Sequence, residues 1–148
     1  MASVKYEVGS TTTVMSDTEL GSLAADANAI SSEINNSVNL YLFDDVELHI
    51  DEGYGGNFAD GSGVDLYLVR EELDSTGYED GDDTIDPPAA NLVGVFGNNS
   101  DATQVHILRQ IPIPACKYKY VVINRTGAYS SSIGANELKI RPYRYQTS

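Results

Sequence analysis

The chain has 148 residues and a formal net charge of −13, with 22 acidic and nine basic residues. A chain of this length suits one domain that folds without a disulfide or a structural metal, and its single cysteine cannot form an internal disulfide. The strong negative charge repels nucleic-acid phosphates and anionic membranes, so neither is expected as a partner.

The first predicted element is an extended segment at residues 4–16, rich in Thr, Val and Tyr, which is typical of an arm or an edge strand. Residues 16–19 have the spacing of a capping box, in which Ser and Glu side chains cap the start of a helix. Apolar residues at helical spacing follow and predict a short helix at 17–29, with a packed irregular segment as the alternative. An arm formed by residues 1–36 is therefore expected to pack on a sandwich formed by residues 37–148.

From Val38 onward, apolar residues recur at every second position, which is the period of a strand with one buried face. Strands are predicted at 38–50, 64–69, 92–96, 104–110, 118–124 and 138–145. The first should bury Val38, Leu40 and Leu42, and Pro142 predicts an edge strand or a bulge in the last. Strands joined by Gly, Pro and Asn turns, without helices between them, predict an all-β fold. The expected architecture is an antiparallel β-sandwich or jelly roll with the arm and one short helix.

A polar stretch at residues 71–90 is predicted to be a long surface loop. Its acidic part is the best candidate for a metal site, because calcium prefers carboxylate and carbonyl oxygens in a flexible, glycine-containing loop. The candidate ligands are Asp80, Asp82, Asp83 and Asp86. The spacing does not match an EF-hand, and a solvated acidic loop is the favoured alternative. No cofactor is therefore expected, with calcium left open.

The charges are distributed unevenly along the chain. Fifteen of the 22 acidic residues lie between Asp44 and Asp86, whereas seven of the nine basic residues lie between Gln104 and Ser148. The two regions either pair within one molecule or make contacts between copies, and the internal or solvated interpretation is favoured. A cationic patch is expected if the last two strands pair. Its members would be Lys117, Lys119, Lys139 and Arg141.

The sequence contains no catalytic signature. His49 and His106 are placed on the polar sides of two strands, and no Gly-x-Ser-x-Gly elbow or cysteine-centred motif accompanies them. Neighbouring carboxylates such as Asp44 and Asp45 point to opposite faces of a strand, so they cannot flank one glycosidic bond. The chain is therefore predicted not to be an enzyme.

Several strand and turn sequences resemble those of small β-sandwich virion proteins of tailed phages. They lie at residues 64–69, 74–81, 86–88, 92–94, 108–109, 111–112 and 120–127, within a region from about Leu20 to Tyr145. The resemblance implies a capsid decoration (cement) protein that contacts the major capsid protein and copies of itself, commonly as a homotrimer. It also implies a place on the capsid surface after synthesis in the host cytoplasm.

An extended arm and aromatic or arginine side chains suit a protein that acts through contacts. The predicted interface residues are Val4, Tyr6, Val8, Tyr143, Arg144 and Tyr145. The simpler alternative is that the arm packs on its own domain and the tyrosines cap the core. A second functional hypothesis is a carbohydrate-binding module of a tail or fibre, in which exposed tyrosines with acidic neighbours bind sugar. No run of apolar residues is long enough to span a membrane.

Overall fold

The computed structural model describes residues 4–50, 63–97, 103–126 and 136–147, which form two antiparallel sheets packed face to face. The elements are β1 (Val4–Val8), β2 (Thr12–Met15), α1 (Asp17–Leu20), β3 (Asn28–Ile30), β4 (Ile34–Asn35), β5 (Phe43–Ile50), β6 (Gly63–Arg70), a 3-10 turn (Ala89–Asn91), β7 (Leu92–Gly97), β8 (Gln104–Pro112), β9 (Lys117–Asn124) and β10 (Glu137–Thr147). Sheet A has the order β1-β10-β5-β8, with β2 also paired to β10. Sheet B has the order β3-β9-β6-β7, with β4 also paired to β9.

The strand pairs are nested along the chain. β6 pairs with β7, β5 with β8, β3 and β4 with β9, and β1 and β2 with β10. Nested hairpins rolled into two facing sheets form a jelly roll. The predicted fold class is therefore confirmed. Residues 4–35, which the sequence assigned to an arm, supply strands to both sheets.

The main hydrophobic core lies between the two sheets. Val46, Leu48 and Leu138 of sheet A are buried there together with Leu66 and Val122 of sheet B. Each of these side chains alternates with one that points to the outer face of its sheet, as the period of two requires. Complete burial of one such side chain stabilises the fold by roughly 1.5–3 kcal/mol relative to its exposure.

A second, smaller apolar cluster lies on the outer face of sheet B. Its buried members are Tyr67, Val69, Val121 and Ile123. Part of the acidic loop, residues 71–88, packs over this cluster at Gly81 and Pro87. A Cβ added at Gly81 would lie 3.0 Å from Val69 Cγ1 and 2.7 Å from Pro87 Cγ, and Pro87 is itself buried. The predicted loop therefore covers part of the outer face of sheet B. This cover removes apolar side chains from water, since sheet B carries them on both of its faces.

The predicted helix is present, but it is only one turn long. The capping box is confirmed, because the Ser16 amide donates to Glu19 Oε2 at 2.7 Å and the Thr18 amide donates to Ser16 Oγ at 3.3 Å. α1 ends at Leu20, since Gly21 has extended backbone angles and Ser22 has a φ of 58°. The prediction of a helix extending to residue 29 is therefore wrong.

Strand β5 begins at Phe43, five residues later than the sequence predicts. The cause is the buried side chain of Asn36, which accepts from the Tyr41 amide at 2.8 Å and donates to the Tyr41 carbonyl at 2.8 Å. These bonds close residues 36–41 into a loop. Val38 and Leu40 of this loop are consequently exposed at 80% and 48%, and Leu42, which follows it, is exposed at 48%.

Strand β10 is an interior strand of sheet A, and its register with β5 runs without a shift through Pro142, so neither the edge position nor the bulge predicted from Pro142 is present. Pro142 lies where the neighbouring strand changes from β1 to β2, and its carbonyl accepts from the Gly9 amide at 2.7 Å. In an antiparallel strand the N–H and C=O groups of one residue face the same neighbouring strand. An N–H at position 142 would therefore point to this same gap, so proline is tolerated there. Gly9 permits the contact, since a Cβ there would lie 2.8 Å from Pro142 Cγ.

Candidate functional site

Four aromatic side chains meet on the outer face of sheet A. Tyr6 of β1, Phe43 of β5 and Tyr143 and Tyr145 of β10 have ring centroids 5.2–6.1 Å apart in the contacting pairs. The strand register produces these contacts, because Tyr6 lies opposite Tyr145 and Phe43 lies opposite Tyr143. We term these four residues the aromatic patch. Cross-strand aromatic pairs of this kind contribute roughly 0.5–1.5 kcal/mol each beyond the area that they bury.

The strand register places five of the six predicted interface residues on this face. Val4, Tyr6, Val8 and Tyr145 are exposed at 65%, 63%, 55% and 43%. Tyr143 is only 7% exposed, because Tyr6 and Phe43 pack against its ring. Tyr6 and Tyr145 are therefore accessible members of the patch, with Val4 and Val8 beside them on β1, while Tyr143 is buried beneath Tyr6. The role of these five residues in an interface stays a prediction.

Arg144, the sixth predicted interface residue, points to the opposite side of β10. Its Nε donates to Glu7 Oε2 at 2.7 Å, and one of its terminal nitrogens donates to the Asn39 carbonyl at 2.6 Å. Its guanidinium carbon also lies 5.7 Å from the centre of the Tyr41 ring. Arg144 thus joins β1 and the loop at residues 36–41 to β10, and it does not contribute to the aromatic patch.

A groove of about 360 Å³ lies beside the aromatic patch. Its lining includes Tyr6 and Tyr143 together with Asp45, Arg109 and Arg141. Asp45 Oδ2 lies 3.1 Å from the Arg141 guanidinium and 3.8 Å from that of Arg109. Both arginine side chains are at least half exposed, so each ion pair contributes little to stability. The groove therefore combines aromatic walls with accessible guanidinium groups.

Asp44 is a buried carboxyl group that connects the two sheets. Tyr118 Oη donates to Asp44 Oδ2 at 2.6 Å and Tyr120 Oη donates to the same oxygen at 2.8 Å, while Asp44 Oδ1 has no partner among the described residues. Burial raises the pKa of Asp44 to about 6, although both tyrosine hydrogen bonds favour the charged form. This buried carboxyl group was not predicted from the sequence. The signal was present, because Asp44 is in phase with Val46, Leu48 and Ile50 on the buried side of β5.

The candidate metal ligands do not converge on one point. Within the described parts of the chain, no group of three or more His, Cys, Asp or Glu side chains is arranged to hold a metal ion. Asp82 Oδ1 instead accepts from the amides of Thr84 and Ile85 at 2.6 and 2.8 Å. Asp80, Asp83 and Asp86 complete no ligand set with it. The candidate calcium site is therefore not assembled in this structure.

Asp86 has a different role, because it ties the acidic loop to the sandwich. Arg125 of the segment after β9 lies 3.2 Å from Asp86, 2.9 Å from Asp26 and 3.5 Å from Asp65. The Asn28 side-chain amide also donates to Asp86 Oδ1 at 3.0 Å. One guanidinium group thus holds carboxylates from three separate segments at the edge of the loop.

The uneven charges pair within the molecule, as predicted. Basic residues of the C-terminal region form four ion pairs with acidic residues of the middle region, Arg109 and Arg141 with Asp45, and Arg125 with Asp65 and Asp86. The predicted cationic patch is wrong, because its lysines on β9 and its basic residues on β10 lie in different sheets. The outer faces of the two sheets are on opposite sides of the sandwich, so these residues form no common strip.

The two histidines lie on opposite faces of sheet A. His49 points outward from β5, whereas His106 of β8 lies opposite Leu48 and is half-buried toward the core. The placement of His106 on a polar side is therefore wrong. The outward side chains of β8 include Arg109 together with Val105 and Ile107, which are exposed at 55% and 43%.

No protein-family model matches this sequence, and no curated protein is significantly similar to it. Among solved structures, the chain is similar to one described as "Structural basis for the promiscuous specificity of the carbohydrate-binding modules from the beta-sandwich super family". That match has a TM-score of 0.35 and 9% sequence identity, and it covers 97% of this chain and 56% of that chain. The chain thus spans little more than half of that structure's length, and the similarity does not identify a ligand for it.

No helix in the described residues is long and apolar enough to cross a membrane. The features that remain for a functional role are the exposed β1 side of the aromatic patch, the adjoining groove and the acidic loop. The first two lie on the outer face of sheet A and the third lies on the outer face of sheet B.

Proposed function

We propose that this protein is a non-enzymatic structural protein of a phage virion, which acts as a decoration (cement) protein on the capsid surface. Made in the host cytoplasm, it stabilises the shell through contacts with the major capsid protein and with copies of itself. The observation that carries the proposal is the apolar side of β1, where Val4, Tyr6 and Val8 are exposed at 65%, 63% and 55%. Contiguous exposed apolar groups mark interaction sites, and tyrosines are enriched at interface centres.

The distribution of charge supports a contact made by one side of the molecule. The aromatic patch lies on the outer face of sheet A, and the acidic loop covers part of the outer face of sheet B. A molecule that binds a shell through sheet A presents this loop to solvent, where its charge favours solubility and keeps particles apart. Jelly rolls occur in viral capsid proteins and in lectins. The fold is therefore compatible with the proposal but does not select it.

The proposal predicts that the double variant Tyr6→Ser, Tyr145→Ser binds poorly to shells that lack the protein. Loss of two interface tyrosines is expected to weaken binding by at least roughly tenfold, because truncation at an interface centre often costs more than 1.4 kcal/mol. Co-sedimentation with purified particles measures the binding, and the temperature at which the shells release their contents measures their stabilisation.

Leu73→Ser is the matched control, because Leu73 is a fully exposed apolar residue of the acidic loop on the other side of the sandwich. This variant should bind and stabilise shells as the wild-type protein does. If the tyrosine variant binds as well as the control, or if bound wild-type protein leaves the heat stability of the shells unchanged, the decoration role is wrong.

The groove favours a second candidate function, a carbohydrate-binding module of a tail or fibre. Its volume of about 360 Å³ is within the range of small-ligand sites, and its tyrosines, Asp45 and two arginines provide stacking surfaces and hydrogen-bonding groups for a sugar. A glycan array probed with and without a chelator tests this function. Binding that disappears in Tyr6→Ala and persists in Leu73→Ser would favour this candidate, whereas an empty array would exclude the tested glycans.

A further inference from the structure

Strand β1 is an edge strand of sheet A whose outward backbone groups can be assigned from its register with β10. The Gly9 amide donates to the Pro142 carbonyl, so these two residues are a hydrogen-bonded pair at the end of the ladder. Hydrogen-bonded pairs alternate with non-hydrogen-bonded pairs along antiparallel strands. Lys5 and Glu7, which lie opposite Gln146 and Arg144, therefore direct their backbone groups to β10.

The backbone N–H and C=O groups of Val4, Tyr6 and Val8 consequently point away from β10. Among the described residues, no strand pairs with β1 on that side. The side chains of the same three residues are exposed on the outer face of sheet A. An edge that is both unpaired and apolar is a template for another strand, and proteins normally cover such an edge or protect it with charge.

The charges on β1 are arranged to complement a second copy of the same strand. The sequence Val4-Lys5-Tyr6-Glu7-Val8 has apolar residues at both ends, opposite charges at the second and fourth positions and tyrosine at the centre. We propose that β1 pairs antiparallel with β1 of a second copy about a twofold axis at Tyr6. Val4 then lies opposite Val8 of the second copy, Lys5 opposite Glu7, and Tyr6 opposite Tyr6.

The backbone is compatible with this register. The residues with outward backbone groups, Val4, Tyr6 and Val8, face one another across the axis and form the hydrogen-bonded pairs. Lys5 and Glu7 then form the non-hydrogen-bonded pairs, in which opposed side chains are closest and opposite charges are favourable. A shift by one residue would oppose outward backbone groups to inward ones, so the hydrogen bonds between the strands would be lost.

The charges favour this register over registers that are shifted by two residues, in which the backbone hydrogen bonds can still form. A shift by two residues in one direction places Lys5 opposite Lys5 of the second copy, and a shift in the other direction places Glu7 opposite Glu7. Like charges directly opposite each other are destabilising, whereas the proposed register contains two Lys–Glu pairs. The paired strands would join two copies of sheet A into one continuous sheet, with both aromatic patches on the same outer face. Such isologous pairing is the commonest form of homodimer.

Charge exchange at residues 5 and 7 tests the pairing in solution, without shells and therefore independently of the proposed function. Lys5→Glu opposes two glutamates across the axis, and Glu7→Lys opposes two lysines. Each variant alone is expected to have a dissociation constant at least tenfold above that of the wild-type protein. A one-to-one mixture of the two is expected to associate again, because both charged pairs between the two β1 strands are then attractive, although Glu7→Lys also removes the ion pair with Arg144 inside its own copy.

Sedimentation equilibrium over a concentration series measures these masses against the 16.0 kDa of one chain. The pairing predicts a limiting mass of two chains for the wild-type protein and for the mixture, which also distinguishes it from the trimer that the resemblance to phage proteins implies. Recovery in the mixture shows that the variants are folded. A wild-type protein that stays monomeric, a limiting mass of three chains, or a mixture no more associated than its components would each overturn the pairing.

Discussion

We expect the wild-type stability to fall between pH 4 and pH 7 as Asp44 ionises, and the Asp44→Asn variant to lose a large part of this pH dependence. In the folded protein burial raises the pKa of Asp44 from 3.8 to about 6. A carboxyl group with a raised pKa favours folding while it is protonated, below pH 3.8. This contribution is lost as the pH rises through 6, because the charged form is then buried in the core. The loss amounts to about 3 kcal/mol if the full shift is realised.

The absolute stability of this variant at neutral pH is a poorer test than its pH dependence. The asparagine oxygen can accept both tyrosine hydroxyls, but its amide group would occupy the place of Asp44 Oδ1, which has no partner among the described residues. An unpaired buried amide costs about 1–3 kcal/mol, which offsets the removal of the buried charge. The slope of the unfolding free energy against pH separates the two effects.

Urea unfolding of both proteins at several pH values from 4 to 7.5 provides this slope. Asp83→Asn is the matched control, since it removes the same charge from an exposed position in the acidic loop. The control should keep the wild-type slope apart from a small change in net repulsion. If Asp44→Asn follows the wild-type curve as closely as the control does, Asp44 does not titrate in the buried state described here.

The second large effect is expected at Gly81, where an alanine should lower the free energy of unfolding by about 2 kcal/mol or more. Gly81 has a φ of 132°, which side chains rarely adopt, and a Cβ there would lie 2.7 Å from Pro87 and 3.0 Å from Val69. Backbone strain of this kind costs about 1–3 kcal/mol, and overpacking adds to it. Relief of the clash requires Pro87 to move within the loop and the Gly81 segment to move away from Val69 on sheet B.

Urea unfolding together with limited proteolysis of the loop checks this prediction. Gly97→Ala is the control, because a Cβ at Gly97 meets nothing within 4 Å. The control should change stability by less than about 0.5 kcal/mol, as surface substitutions usually do. Equal stability and equal protease resistance in the two variants would mean that the loop does not cover sheet B.

Local sequence signals predicted the fold and most of its strands. Alternation between apolar and polar residues located β5 and β10, apolar runs bounded by Gly, Pro and Asn turns located the strands between them, and the Ser16–Glu19 capping box located α1. The errors arose where a tertiary contact or a single backbone conformation overrode the local pattern. The side chain of Asn36 closes a loop in which alternating apolar residues suggested a strand, and Ser22, with a positive φ, follows the end of the helix.

The candidate site was predictable only in part. A period of two puts Tyr6, Tyr143 and Tyr145 on outward faces, but it does not show that β1 pairs beside β10, which depends on residues far apart in the chain. Arg144 was predicted to share an interface with Tyr143 and Tyr145. It lies one position along the strand from each of them, so its side chain points to the opposite face of sheet A. The sequence does indicate that the outer face of sheet B is covered. β6 and β9 are apolar on both faces, which is typical of strands that are buried on both sides.

The central claim is that the protein acts through the outer face of sheet A at β1. Hydroxyl-radical footprinting of the free protein at low concentration and of the particle-bound protein tests it most directly. We expect Tyr6 and Tyr145 to become protected on the particle, while Leu73 in the acidic loop keeps its reactivity. Protection of Leu73 with Tyr6 and Tyr145 unchanged would contradict the claim, and so would particles that never bind the protein.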